Sequence, residues 1–471
     1  MIRRPAPLRR TACVASAIAA LLLTCSRPAE DDVRGPSVVL IVVDTLRADR
    51  LGLYGYGRGT SPALDDWARK GAVFERSFAT SPWTLPSFGS IYTGLLPNRH
   101  GAGARVPEKG APPGRPVGHM ILHGEKKSFA GLDRAVPTLA ELLRNHGYRT
   151  GAVVTNPFLH PLFGVARGFQ EYDHLNGSDS EARRADAGVD CALAWIAAHA
   201  EQRFFLLLHL FDPHMDYEAP PPFQGRFTRQ YRSRFSGPVR DTQAIRDDLG
   251  SLTAQDRVYV GAAYDEEVAF VDEQIGRLLR ALETRDLLPR TLVLLTADHG
   301  EELFEHGGFG HGHAMHQELL WIPFIAWGGA VRSARVSTPV SLVDVAPTIL
   351  AAAGIDPPAA MEGVSLWPTL TSGARPPPRL LFAESPGTER EEKIVVQWPF
   401  KMITDPQGVP TRLFDLLANP HETIDQAHAY PELVGELAAR GREALPPGAA
   451  GTAPRLSDDL RERLRKLGYL R

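Results

Sequence analysis

The chain of 471 residues predicts an α/β fold: a mixed, mostly parallel central sheet flanked by helices, followed by a smaller C-terminal α+β antiparallel subdomain. Apolar runs recur along its first three quarters, as expected of strands buried on both faces. Helical patterns alternate with them, the order that parallel crossovers require. After the prolines Pro376, Pro377 and Pro378 the pattern changes to short strands and a late helix.

The strand candidates are 38–43, rich in β-branched residues and ending at Asp44, then 149–155, 204–210, 291–296 and 324–327. Residues 204–210 lead into Asp212-Pro213-His214, and 291–296 lead into Asp298-His299. Between them, Ser61-Pro62 opens a helix through Leu64 and Trp67, with proline in a favourable first-turn place. Thr138 and Glu141 form a capping box for 139–145, which Gly147 ends. Val268, Val271, Ile275, Leu278, Leu279 and Leu282 share one face of a long helix. Residues 343–353 read as another, closed by Gly354. Beyond the prolines, 380–384, 393–397, 401–404 and 411–415 read as strands and 431–442 as a helix.

Apolar residues make up 43% of the chain and the net charge is −3, with no long block of like charge, so nucleic acid is excluded as the main partner. Arg461, Arg463 and Arg465 alternate with Glu462 and apolar residues, which reads as a solvated helix face. The N-terminus has Arg3, Arg4, Arg9 and Arg10 ahead of an apolar run over 12–23 that is too short for a mature membrane span. Cys25 just after this run resembles a lipidated bacterial lipobox cysteine, with Thr24 where Gly, Ala or Ser is usual; a plain signal peptide cut nearby is the other reading. The expected organisation is a leader over 1–25, a tether over 26–36, a catalytic domain over 37–375 and a C-terminal subdomain over 376–471. The expected location is the periplasm or cell envelope. Of the three cysteines only Cys191 falls in the folded body, so no internal disulfide forms there, and it reads as a buried structural thiol on a helix.

In open α/β sheets ligands bind at the carboxyl ends of the strands. Here those ends deliver Asp44, His214, and the pair Asp298-His299. Carboxylates with imidazole suit one divalent cation, and Ca, Mg, Mn and Zn all accept such ligands. An Asp after a strand is as often a helix cap, and a lone His a satisfied polar residue; their joint appearance in this order is what points to a site.

The motifs then become specific. Val42-Val43-Asp44-Thr45-Leu46-Arg47-Ala48-Asp49, with Leu53-Tyr54-Gly55 and Thr60-Ser61-Pro62, resembles the first metal-binding segment of sulfatases. Thr84-Leu85-Pro86-Ser87-Phe88, closing on Tyr92-Thr93-Gly94, resembles the sulfatase signature, and Thr296-Ala297-Asp298-His299-Gly300-Glu301 the second metal segment. Ser341 to Thr348, Leu413-Phe414-Asp415-Leu416 and Leu467-Gly468-Tyr469-Leu470 match later landmarks. The resemblance is to the sulfatase branch of the alkaline phosphatase superfamily and covers nearly all of 37–471. It implies an alkaline-phosphatase-like fold, an anionic ester substrate and one cation held by Asp44, Asp298, His299 and Thr84.

The departures are informative. The residue oxidised to formylglycine, Cys or Ser in the family, is Thr84. Its β-carbon carries a methyl, so oxidation would give a ketone and not the aldehyde. The signature Arg is Phe88, the second acid of the Asp-Asp pair is Thr45, and a Lys-Trp-His motif is replaced by Thr155-Asn156-Pro157. A formylglycine hydrate frees sulfate by collapsing to the aldehyde. A threonine ester has no such exit, so water must attack the central atom, the ordinary route of phosphoryl transfer through a covalent intermediate. The resemblance makes Thr84 the nucleophile, His214 a substrate-side histidine, and His311 an anion-binding or proton-donating group where relatives have Lys, with His313 a second candidate. Asn156, Lys126 and Lys127 could approach the anion but receive no role, and the basic stretch 226–234 reads as a solvated loop rather than a lid. The expectation is hydrolysis of phosphate mono- or diesters; sulfate-ester hydrolysis, phosphoglycerol-type transfer and a silent binding module are the alternatives.

Overall fold

The computed structural model describes residues 35–104, 117–122, 125–174, 183–240, 242–388 and 390–446. The leader with Cys25, most of the tether, the arginine-bearing tail with its Leu-Gly-Tyr-Leu ending, and the side chains of Lys126 and Lys127 lie outside what is described.

The chain begins with β1 (Ser37–Val43), buried along its whole length, then α1 (Pro62–Ala68), β2 (Ala72–Phe78), α2 (Thr84–Thr93) and α3 (Pro97–His100). A hairpin of β3 (Val117–Leu122) and β4 (Glu125–Ala130) precedes α4 (Leu139–Asn145), β5 (Arg149–Val154), β6 (Glu171–His174), α5 (Ala185–His199) and β7 (Phe204–Leu210). Next come α6 (Thr242–Asp247), the long α7 (Ala254–Thr284) and β8 (Thr291–Ala297). Short β9 (Glu302–Leu303) and β10 (Phe309–Gly310) pair with each other ahead of α8 (Gln317–Leu320) and β11 (Trp321–Trp327). Two short strands, β12 (Ala334–Val336) and β13 (Val340–Ser341), lead to α9 (Val345–Ala352) and α10 (Trp367–Ser372). The chain closes on β14 (Leu381–Glu384), β15 (Lys393–Gln397), β16 (Phe400–Thr404), β17 (Pro410–Asp415) and α11 (Pro431–Ala444).

The main sheet runs β12-β2-β11-β8-β1-β7-β5-β6, with β13 also on β2. Its pairings are parallel except those of β11, which opposes both β2 and β8. The expected mixed, mostly parallel sheet is therefore present, and every expected strand lies within a residue or a few of its observed place. The sequence reading did not anticipate β2, because Glu75 and Arg76 interrupt its apolar run. The predicted stripe on α7 is buried throughout, and its N-terminus carries a capping box from Thr253 and Asp256. The Thr138–Glu141 box opens α4 as expected, with Glu141 N donating to Thr138 Oγ1 at 3.2 Å.

The C-terminal strands form their own antiparallel sheet in the order β14-β15-β16-β17. Leu437 and Ala438 of α11 pack with Val395, Met402 and Leu413 of that sheet, so one helix face and one sheet face share a small apolar core. The described residues belong to one compact unit. Cys191 is half-buried on α5 rather than in the core, since its side of that helix reaches the surface. No helix among the described residues is long and apolar enough to cross a membrane.

Candidate active site

The site lies at the carboxyl ends of the central strands. In the register of β1, Val42 stands opposite His209 of β7 on one side and Thr296 of β8 on the other. Asp44 thus leaves β1 beside Asp298, which leaves β8 one residue beyond Ala297. Thr45 next to Asp44 has φ 54°, a left-handed conformation that a β-branched residue rarely adopts and that costs about 1–3 kcal/mol. It is held there by Tyr264 Oη donating to Thr45 O at 2.8 Å and by Thr45 N donating to Asp298 Oδ1 at 3.3 Å. Gly300 permits the turn after His299: a Cβ there would stand 2.0 Å from Glu318 O.

Thr84 opens α2 and is buried. The helix N-terminus offers unpaired N–H groups and a partial positive charge to an anion formed there. Asn156, just after β5, donates from Nδ2 to Asp44 Oδ2 at 2.7 Å and to Thr84 Oγ1 at 3.2 Å. Its own Oδ1 accepts from Phe158 N at 2.8 Å, which fixes which end of the amide faces Thr84. His299 Nδ1 lies 2.9 Å from Gly300 O, so it carries the proton and Nε2 presents its lone pair. That Nε2 is 3.4 Å from Thr84 Oγ1, 3.7 Å from Asp44 Oδ1 and 3.4 Å from Asp298 Oδ2.

Asp44, His209 and Asp298 offer ligand atoms that all lie within 4.8 Å of one another. Asp44 Oδ1, Asp298 Oδ2 and His209 Nε2 are buried and have no hydrogen-bond partner among the described residues. Buried polar atoms are normally satisfied, so these converging acceptors fit a dication. The electrostatics agree. Burial raises Asp44, but contact with His209 and the charges of His214, His209 and His299 outweigh it and hold the carboxyl well below its usual range. Burial and the facing charge of Asp44 push Asp298 up to about 6, against the pull of His299 and His209. Two close carboxylates cannot both ionise cheaply without a cation between them.

His311 and His214 join this cluster. The His311 ring is centred 4.6 Å from that of His299 and 5.0 Å from that of His214. Its Nδ1 lies 2.7 Å from Glu301 Oε1, and Tyr217 Oη donates to the other oxygen of Glu301 at 3.3 Å. Burial, and then the charges of His299, His214 and Arg246, lower His311 well below the ordinary histidine value. The short contact with Glu301 places the Nδ1 proton of His311 toward that carboxylate and leaves Nε2 facing away from it. Burial also lowers His214, whose Nδ1 lies 2.7 Å from Met215 O.

His313 turns elsewhere. Its Nε2 pairs with Glu302 at 2.6 Å, and it lines a separate cleft of about 370 Å³ with His306, His316, Arg390 and Arg412. The basic stretch 226–234 is pinned to α7, where Glu266 Oε1 accepts from Phe227 N and Thr228 N, each at 2.8 Å. Four neighbours of the site received no role from the sequence: His209, Asn156, Glu301 and Arg246. A polar residue inside the apolar run 204–210 was the available signal for His209, and an Asn directly after a strand that for Asn156. Arg246 donates from Nε to Phe309 O at 3.3 Å and makes no ion pair among the described residues. Only folding brings α6 to the loop carrying His311.

The arrangement has relatives. Arylsulfatase K of Gallus gallus is 26% identical over 478 residues, spanning 89% of this chain and 84% of its own. The uncharacterized sulfatase YidJ of Escherichia coli (strain K12) is 24% identical and spans 71% of both chains. Among solved structures, the phosphonate monoester hydrolase of Agrobacterium radiobacter shares the fold with TM-score 0.66 at 20% identity, covering 87% of this chain and 95% of that one. So does a structure holding its substrate D-glucosamine-2-N,6-O-disulfate, with TM-score 0.66 at 18% identity, covering 88% of this chain and 99% of that one. The family model described as Sulfatase matches residues 36–355, more than half of the chain, and the protein belongs to the sulfatase family.

Proposed function

We propose that the protein is a metal-dependent ester hydrolase that uses Thr84 as its nucleophile, acts on phosphate mono- or diesters ahead of sulfate esters, and works through a covalent threonine intermediate. The observation that carries this is the placement of Thr84 Oγ1 at a helix N-terminus, 3.2 Å from Asn156 Nδ2 and 3.4 Å from His299 Nε2, over two carboxylates with unsatisfied oxygens. Asp44, Asp298, His299 and Thr84 would hold the cation, which when bound supplies charge that acidifies the hydroxyl and polarises the ester.

Asn156 orients Thr84 by donating to its oxygen, so the hydroxyl proton points away from the amide. Thr84 Oγ gives its proton to His311 Nε2 and forms a bond to phosphorus, and the bond from phosphorus to the leaving oxygen breaks. That oxygen departs with the electron pair and takes the proton from His311. Water then gives a proton to His311 and attacks phosphorus in line, the bond from phosphorus to Thr84 Oγ breaks, and Oγ takes that proton to regenerate the threonine hydroxyl. His311, with its Nδ1–H on Glu301, keeps a lone pair on Nε2 and serves as the base toward that water. Burial suits this assignment, since a base must be unprotonated at working pH. His214 and Arg246 flank the same space and bind the anionic oxygens. We read the N-terminal segment as an export leader, with the periplasm or cell envelope as the proposed location and lipid attachment through Cys25 proposed over a plain signal-peptide cut.

The test compares wild type with Thr84→Ala on aryl phosphate, phosphodiester and aryl sulfate, with and without chelator. We expect phosphate or diester turnover that falls by about 10³-fold or more in the variant, with a phosphorylated Thr84 peptide recovered after acid quench. Turnover by Thr84→Ala at the wild-type rate would overturn the nucleophile. Thr84-dependent turnover of sulfate alone would reverse the substrate order. No turnover of any ester would point to a binding module.

A further inference from the structure

His209 is the imidazole of the site that no motif pointed to, and its surroundings are the least satisfied. It lies in β7 with its side chain wholly buried, and neither Nδ1 nor Nε2 has a hydrogen-bond partner among the described residues. A neutral imidazole in a dry interior normally passes its N–H to an acceptor and takes a donor on the other nitrogen. Here Nε2 stands 3.3 Å from Asp44 Oδ2, outside hydrogen-bonding geometry and within reach of the atoms offered by Asp44 and Asp298.

Two departures from the sulfatase pattern stand beside it. Phe88 stands where the signature has Arg, and its ring meets that of His209 edge-on at 5.4 Å. An aromatic edge packs on a neutral or ligating imidazole, where a guanidinium would repel it once charged. Thr45 stands where the pattern has a second Asp, and its buried hydroxyl has no partner among the described residues. The cluster thus has one carboxylate fewer than that pattern, and the His209 imidazole stands beside the two that remain.

We infer that His209 is a direct ligand of the cation, making a donor set of two carboxylates and two imidazoles, and that this set selects a borderline transition dication of the zinc type over Ca or Mg. This rests on the reading above that Asp44, Asp298 and His299 hold a cation. Ca and Mg prefer all-oxygen sites, whereas imidazole suits Zn and its neighbours. With Thr45 in place of the pattern's second Asp, the site also holds one negative charge fewer, which weakens a purely ionic grip.

The test uses the full chain, stripped with chelator, and titrates Zn, Ca and Mg by calorimetry. In parallel the Co-loaded protein is examined by proton NMR, where each ligating histidine contributes one strongly shifted imidazole N–H signal. We expect two such signals and a clear preference for Zn. In His209→Ala one signal disappears and Zn affinity falls by roughly 10- to 100-fold or more, the range seen when metal-site support is removed, while Ca affinity changes little. A single shifted signal in wild type overturns the inference even if the variant does not fold. So does unchanged Zn affinity in a folded His209→Ala protein. If wild type binds no dication at all, the proposed metal chemistry fails and this inference with it; binding through one imidazole removes His209 alone.

Discussion

Two buried charge clusters lie on either side of the loop over 301–316. At the strand ends, Asp44, Asp298 and His209 leave four polar atoms without hydrogen-bond partners among the described residues. Between that loop and the C-terminal sheet, Lys401, Glu422, His316, Arg412 and Glu392 close on each other. Lys401 Nζ pairs with Glu422 and donates to Met315 O at 2.8 Å. Glu422 Oε2 takes His316 Nδ1 at 2.9 Å and Gln317 N at 2.8 Å. Arg412 reaches His316 Nε2 at 2.9 Å and Glu392 Oε1 at 2.7 Å. Both clusters are densely charged. In the second, ion pairs meet the charges of Lys401, Glu422 and Arg412 and tie β16 and β17 to the body, with Glu392 Oε2 the carboxylate oxygen left without a partner among the described residues; in the first, the unpartnered atoms of three side chains converge on one point. Charge burial alone does not mark a site, whereas burial with converging unsatisfied atoms does.

The largest effect is expected where a satisfied cluster is broken. Lys401→Met leaves Glu422 buried and negative, and should lower unfolding free energy by about 3 kcal/mol or more. Urea unfolding measures this, and Lys401→Met combined with Glu422→Gln should recover part of the loss. Burial raises Glu422, but Lys401 and His316 outweigh it and depress its carboxyl. A depressed carboxyl stabilises above its unfolded value and loses that contribution as pH falls through the folded one, so acid should loosen this cluster. A Lys401→Met protein as stable as wild type would mean the pair merely offsets its desolvation.

The unsatisfied cluster should respond with the opposite sign. Asp298 is raised from 3.8 to about 6 by burial and by Asp44. A raised group contributes fully below its unfolded value and loses that contribution as pH rises through the folded one. Cation-free protein should therefore lose stability between pH ~4 and ~6.5, and Asp298→Asn should regain on the order of 2 kcal/mol at pH 7.5. Added dication should raise the wild-type melting temperature more at pH 7.5 than at pH 5, and do little for the variant. Equal cation effects at both pH values would remove the repulsion argument.

The contrast also explains what the sequence made legible. Asp44, Asp298 and His299 follow strands whose apolar runs are unmistakable, so strand ends and site residues were read together. His214 and His311 were reached through motif resemblance, and folding does bring both to the cluster. His209 was hidden because it interrupts a strand rather than following one. Glu301 and Arg246 were hidden because their roles depend on which rings and loops they meet across the fold. β2 escaped for a related reason: Glu75 and Arg76 break its apolar run, and pairing with β11, β12 and β13 supplies what local pattern does not. His313 shows the converse: two residues beyond His311 on one glycine-rich loop, it pairs with Glu302 instead of joining the strand-end cluster.

The smallest expected effect tests a satisfied polar group that carries no net charge. Thr138 was legible as the N-cap of α4, and its hydroxyl accepts from Glu141 N at 3.2 Å while donating to Arg167 O at 2.9 Å. Thr138→Ala removes both bonds, and the loss should be about 1–2 kcal/mol, toward the upper end for a cap because the residue is buried. α4 packs on β5, the strand that delivers Asn156, so the same variant asks whether the site feels a weakened support. Asn156 is held by its own bond to Phe158 N, independent of the cap. The turnover number should therefore stay near wild type while the melting temperature falls. A drop in turnover matching that of Asn156→Ala would show that α4 sets the position of the amide, and that the two kinds of polar group are less separate than their hydrogen bonds imply.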